Sequence, residues 1–280
     1  MARKIRKIIT GRNAVDGAGV HLVRVFGFDD TEEFDPFLML DAFDSTNPAD
    51  YVKGFPWHPH RGIETVTYLI EGEIDHGDNL GNSGIIGAGD CQWMTAGSGI
   101  LHQEMPQASP RLFGAQLWLN LPAKSKMTAP KYHDIRSDKI PIVEEENVKI
   151  RIISGQYAEQ IGAMSGEHVQ ATYLDVEIQA QKEWIFKLPK DDTLFVYVLQ
   201  GSGIFEEESD EVLFEKRAIL FFAGQELFVR AGENGVRFLL LSAKQLKEPI
   251  AWGGPIVMNT QAELDKAFEE LSDGTFIKND

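Results

Sequence analysis

The chain has 280 residues, 43% of them hydrophobic and 25% charged, which leaves room for one large or two medium globular domains with full cores. The formal net charge is -16, and so acidic a chain is repelled by phosphate backbones, so direct nucleic-acid binding is not expected. The single cysteine, Cys91, excludes an intramolecular disulfide, no segment approaches 18 consecutive apolar residues, and the N-terminus lacks a signal-peptide core. Together these predict a cytoplasmic protein without a membrane span, or a nuclear one in a eukaryote.

The first predicted element combines Arg3, Lys4, Arg6 and Lys7 with Ile5, Ile8 and Ile9. The alternation reads as an edge strand with a solvated basic face. Short β-type runs then recur along the chain. Residues 65–70 alternate and end at Glu71-Gly72; residues 117–121 end at Pro122. Residues 193–199 precede Gly201-Ser202-Gly203, and residues 236–241 form a later run. Strands at this spacing, separated by glycine turns, predict sandwiches or jelly-roll barrels.

The two halves resemble each other. Residues 64–72 align with residues 193–201, each with a tyrosine (Tyr68, Tyr197) four residues before the closing glycine. Residues 89–97 align with residues 216–224, each ending in Ala-Gly. A repeat of half the chain predicts two similar domains, residues 1–130 and 131–280, with a proline-containing connector at residues 122–141. At the C-terminus Thr260 and Glu263 form a capping box, followed by an apolar stripe of Leu264, Ala267, Phe268 and Leu271. That helix is expected to bury its stripe against the N-terminal barrel.

Two short motifs carry the chemistry. In residues 54–64, His58 and His60 are two apart, so on an extended strand both imidazoles project from one face and can reach one ion. Glu64 shares their parity but lies about 13 Å farther along an extended strand. In residues 101–106, His102 and Glu104 repeat the spacing. Three imidazoles and a carboxylate without thiolate suit Fe(II), Mn, Co, Ni, Cu or Zn. Phe55 and Trp57 stand beside the histidines as pocket wall or core. His21, His76, His133 and His168 are solitary and read as structural or solvent-exposed. Cys91 reads as a buried small hydrophobe.

Residues 55–68 resemble the first cupin motif as pirins write it, and residues 92–106 resemble their second. Residues 34–43 and 254–260 resemble the family's N-terminal region and C-terminal signature. The resemblance to the pirin family covers nearly the whole chain. It implies an all-β bicupin, two jelly-roll barrels packed together with a C-terminal helix, and one iron ion in the N-terminal barrel. Carried over by position, the ligands are His58, His60, His102 and Glu104, with Glu64 the alternative ligand and base.

In the second half the internal alignment places Lys187, Pro189, Thr193, Val229 and Ala231 at those positions, so that half has no ligand set. The resemblance further implies quercetin 2,3-dioxygenase activity on a small aromatic substrate with O₂, Glu104 being the catalytic carboxylate. The other role known in the family is that of a metal-binding regulatory partner of another protein, without turnover.

Overall fold

The computed structural model describes residues 2–278. The chain forms two compact units. One runs up to Gly11 and resumes over Asp138–Gln245; the other comprises Arg12–Ser137 and the segment from Leu246 onward.

In the first unit, β1 (Ile5–Thr10) alternates half-buried and exposed residues and pairs antiparallel with Arg217–Phe221 at one end of a nine-stranded sheet. This is the edge strand that the sequence predicts. Arg3, just ahead of it, departs from the expected solvated face. It is 1% exposed, and its guanidinium donates to the carbonyls of Pro189, Lys190, Asp192 and Phe222. The core of this unit comes from one face of each strand. Ile150 and Ile152, Leu174 and Val176, and Leu194 and Val196 show the two-residue period of a sheet with one face inward.

The second unit contains β2 (Arg12–Asp16), β3 (Val20–Phe26), β4 (Phe37–Ser45), β5 (Phe55–His60), β6 (Ile63–Glu71), β7 (Ile74–Asp78), β8 (Ser83–Ile86), β9 (Cys91–Thr95), β10 (Ile100–Pro106), β11 (Leu112–Asn120) and β12 (Lys131–Ile135). They form a seven-stranded sheet, ordered β12-β9-β6-β11-β4-β3-β2, and a four-stranded sheet, ordered β5-β10-β7-β8. Side chains of the two sheets meet directly, as in the bond from Gln116 on β11 to Glu104 on β10.

These are two cupin-like sheet domains, but neither is the jelly-roll barrel expected from the sequence. Among the described residues no sheet closes: β2 and β12, β5 and β8, and the end strands Ile5–Thr10 and Ile142–Glu144 each remain separate ends. The reason lies in the turns. Arg61-Gly62 divides two consecutive strands, so that β5 pairs with β10 while β6 pairs with β9 and β11. Gly62 has a φ of +77°, and a Cβ there would stand 2.0 Å from the Val257 carbonyl oxygen. Only glycine fits that bend. Strand alternation is local, but closure requires the two outermost strands to pair, which no local pattern specifies.

The segment from Leu246 onward returns to this unit. The hairpin Ala251–Gly253/Ile256–Met258 lies against the Arg61-Gly62 turn, where the Val257 N–H donates to the Arg61 carbonyl. Lys126 is buried there. Its ammonium donates to the carbonyls of Gly62 and Val257 (both 2.8 Å) and to Asn120 Oδ1 (2.5 Å), while burial pushes its pKa down to about 7. Arg61 is 2% exposed and bonds to the Ser98 and Phe276 carbonyls and to Glu270.

The capping box forms as the sequence predicts, with Thr260 and Glu263 bonded reciprocally, and the helix runs Gln261–Ser272. Leu264 and Ala267 bury against the hairpin, whereas Phe268 covers Gly253 at the edge and stays 40% exposed. Leu264→Ala should therefore destabilise the protein by about 2–4 kcal/mol. Phe268→Ala should cost less, because much of its ring is already in water. Urea unfolding of both variants checks the order, and a larger loss at Phe268 would contradict this packing.

Candidate metal centre

β5 and β10 are antiparallel neighbours, with His102 directly opposite His58. His60 lies two residues beyond His58 on the same strand, so all three imidazoles gather between the sheets. Their ligating nitrogens lie within 4.8 Å of one another. Among the described residues, no other group of three His, Cys, Asp or Glu brings its ligand atoms together in this way, and the second half contributes none.

Two of the rings are oriented by backbone carbonyls. His58 Nδ1 is 2.8 Å from the Pro56 oxygen and His60 Nδ1 is 3.1 Å from the Pro255 oxygen. A carbonyl only accepts, so each Nδ1 carries a proton, and in the neutral ring each Nε2 then presents a lone pair. Those two Nε2 atoms stand 3.1 Å apart. With neither carrying hydrogen this contact is repulsive, unless a cation lies between them. Two ligands about 2.0–2.2 Å from one ion and at right angles would be about 3 Å apart, which matches. His102 is fully buried, and neither of its ring nitrogens has a hydrogen-bond partner. An orphaned buried imidazole facing two lone pairs is the chemistry of a metal site. The three histidines form a transition-metal site.

Burial and the neighbouring rings disfavour the charged form of His60 and His102. Burial first, then His58, pushes His60 down to about 3; burial and the surrounding histidines hold His102 well below the usual range. Neutral imidazole is the metal-binding form.

Glu104 shares the inward face of β10 with His102 and is 3% exposed. The pairing of β5 with β10 shifts between these residues, leaving Glu104 opposite Phe55. Its carboxylate sits in a cradle. Thr67 Oγ1 donates to Oε1 (3.0 Å), and Gln116 Nε2 donates to Oε2 (2.7 Å) and to Thr67 Oγ1 (3.0 Å). Glu64 points the other way. On β6 it neighbours Thr65 and precedes Thr67 by three, so alternation turns it to the opposite face, where it accepts from Thr95 Oγ1 at 2.6 Å.

A cavity of about 780 Å³ opens on His58 and His60, walled by Met39, Phe55, Trp118 and Trp252. Trp118 meets the His60 ring edge-on at 5.0 Å. Trp57 lines the cavity and is half exposed. Gln116, Thr67, Trp118 and Pro255 are site residues that sequence reasoning missed. Gln116 and Trp118 share one parity within the recognised run 117–121 and its flank, which was the available signal. The remaining histidines are dispersed: His21 is exposed, His133 and His168 are half-buried, and His76 is buried and bonded to Tyr132. Cys91 is buried, and burial pushes its thiol up.

One transition-metal ion per chain is expected on elemental analysis, and His58→Ala or His60→Ala should abolish its high-affinity binding while the sheets stay folded. Two tightly bound ions per chain would refute this. The metal-free protein should also be acid-sensitive. Unfolding frees His60 and His102 to take up protons at their ordinary pKa near 6.5, whereas in the folded chain they titrate far lower. Stability is then complete above about pH 6.5 and falls as the pH drops below it, His60 alone contributing a loss of roughly 1.4 kcal/mol per pH unit down to about pH 3 and His102 adding to it in the same direction. Urea midpoints measured across that range should shift accordingly, and a flat profile would count against buried neutral imidazoles.

Residues 19–119 match the pirin family, and residues 173–277 match the pirin C-terminal cupin domain. A Pseudomonas aeruginosa protein provisionally named quercetin 2,3-dioxygenase is 44% identical over 278 residues, covering 97% of each chain. A pirin-like protein of Caulobacter vibrioides is 40% identical, covering 98% of this chain and 99% of its own. The crystal structure of quercetin 2,3-dioxygenase from Acinetobacter baumannii superposes with a TM-score of 0.88 at 34% identity, over 99% of each chain. No helix of the described residues is long and apolar enough to cross a membrane. With both halves matched and full-length relatives at this identity, the chain belongs to the pirin family.

Proposed function

We propose that this chain is a metal-dependent dioxygenase that cleaves a flavonol such as quercetin with O₂. The observation that carries the reading is the three-histidine site opening onto a large aromatic-walled cavity. The relatives named for quercetin cleavage support it. In the net reaction both oxygen atoms of O₂ enter the flavonol at C2 and C4, the central ring opens, and the carbon between them leaves as CO.

A bound ion supplies a Lewis-acid and redox centre that lets the closed-shell flavonol react with O₂. We propose Fe(II) as the occupant and Glu104 as the fourth ligand. The imidazole and carboxylate donors without thiolate suit it, and Glu104 shares the inward face of β10 with His102.

The chain's own residues do the rest. Trp118 and Trp252 offer apolar faces against which a flat polycyclic substrate can lie. The carboxylate of Glu104 takes the proton of the flavonol 3-hydroxyl, which makes the ring electron-rich at C2. Thr67 and Gln116 fix both carboxylate oxygens, so the base is positioned before substrate arrives. The hydrogen bonds of His58 and His60 to Pro56 and Pro255 hold the rings in the ligating tautomer.

Glu104→Gln should lower quercetin-dependent O₂ uptake by at least ~100-fold, the scale of a positioned base. Glu64→Gln should do less, since its side chain faces away from the histidines. Metal content is measured in every sample, because a metal-free preparation would be silent for a trivial reason. The reverse ranking would move the base to Glu64. An iron-loaded wild type that consumes no O₂ with quercetin would overturn the dioxygenase reading.

A further inference from the structure

A row of polar side chains crosses the seven-stranded sheet on its cavity face. Cross-strand partners run from Arg12 on β2 to Arg24 on β3, Asp41 on β4, Gln116 on β11 and Thr67 on β6. The inner end of this row is the cradle of Glu104. Its outer end is Arg12, which is exposed, lines the cavity and stands directly opposite Arg24.

Like charges directly opposite on paired strands are unfavourable. Arg24 is compensated twice over. It bonds to Asp41 through two atoms at 3.0 and 2.8 Å and to Asp16 at 2.7 Å. These are the two carboxylates of the cavity wall, and both are taken by Arg24. Arg12 is left with no side-chain hydrogen bond or ion pair among the described residues. The strand that carries it is tied to the metal-bearing strand, because the Ala18 N–H donates to the Gly54 carbonyl at 2.9 Å and a Cβ on Gly17 would collide with Phe55. The end of the strand that carries Arg12 is thus joined to the ligand strand at the cavity.

We propose that Arg12 is a specificity-determining residue that receives an oxyanion on an aromatic substrate, at the end of the ring system remote from the metal. This inference rests on the dioxygenase reading for the identity of the site, and adds that the preferred substrate is anionic there. The planar guanidinium fork matches a carboxylate or an ionised ring hydroxyl. With Arg12 counted, the wall charges of the cavity cancel, two arginines against two aspartates. A bound metal cation then makes the cavity locally positive within a chain of net charge -16. The cavity would draw in an anionic aromatic that the rest of the surface repels.

The test compares three probes by quenching of tryptophan fluorescence in the metal-loaded protein: 3-hydroxyflavone, its 4′-carboxylate, and quercetin. The wild type should bind the carboxylate at least ~10-fold more tightly than 3-hydroxyflavone, the scale of one charge-assisted hydrogen bond. Arg12→Gln should bring that ratio close to one, and Arg12→Lys should restore part of it. If quercetin also loses its advantage over 3-hydroxyflavone in Arg12→Gln, an ionised ring hydroxyl suffices. If only the carboxylate responds, the natural anion is a carboxylate.

In ligand-free protein Arg12→Gln should leave the melting temperature nearly unchanged, because the exposed side chain bonds to nothing among the described residues. No carboxylate preference in the wild type, an unchanged ratio in Arg12→Gln, or a lowered melting temperature would each overturn the proposal. Because the readout is binding, a wild type that discriminates through Arg12 yet never consumes O₂ would refute the dioxygenase reading and leave this one standing.

Discussion

Three imidazoles converge at the inner end of the cavity, two of them with their Nε2 atoms 3.1 Å apart and the third without any hydrogen-bond partner. Such an arrangement is unfavourable by itself. Burial disfavours the imidazolium that could relieve it by protonation, as the depressed pKa of His60 shows. A metal cation satisfies all three nitrogens at once. Much of the surrounding unit can be understood as what holds those rings in place against their mutual repulsion.

The restraint comes from far along the chain. The partner of His60 Nδ1 is the carbonyl of Pro255, 195 residues away, in the hairpin that returns from the other unit. That hairpin is fixed by Lys126 and by the Arg61 backbone, while the Arg61 side chain reaches the C-terminal helix and the Phe276 carbonyl. Arg61 is the residue next to His60, so one buried guanidinium joins the ligand strand to the chain terminus. The C-terminal segment is therefore part of the metal centre's support, and it supplies Trp252 to the cavity wall.

The same face of the seven-stranded sheet also organises polarity. Its row of cross-strand partners passes from an exposed cation through an ion pair to an amide and a hydroxyl that hold Glu104. Each member is bonded to another except the outermost. Fully satisfied polar rows rigidify an interior, whereas an unsatisfied end is where a ligand gains most. Stability and recognition thus divide along one line of residues.

The sequence alone determined what depends on neighbouring residues. The parity of His58 with His60 and of His102 with Glu104, the edge character of β1, and the reciprocal cap of Thr260 and Glu263 follow from local periodicity, which survives in any tertiary context. Tertiary structure decided what depends on which strands meet. Whether the sheets close is set by pairing between the outermost strands, and here they do not pair. Glu64 has the parity of His58 and His60 in sequence, yet the bend at Arg61-Gly62 separates the two strands and resets the faces, so it bonds to Thr95 behind the sheet. Phe268 fits the apolar stripe, but it meets the hairpin at Gly253, which has no side chain to cover it, and its ring stays partly in water. Gln116, Thr67 and Pro255 reach the site through register and chain return across dozens to nearly two hundred residues. Side-chain period is a property of a segment; register, closure and docking are properties of pairs of segments, and only the folded chain specifies them.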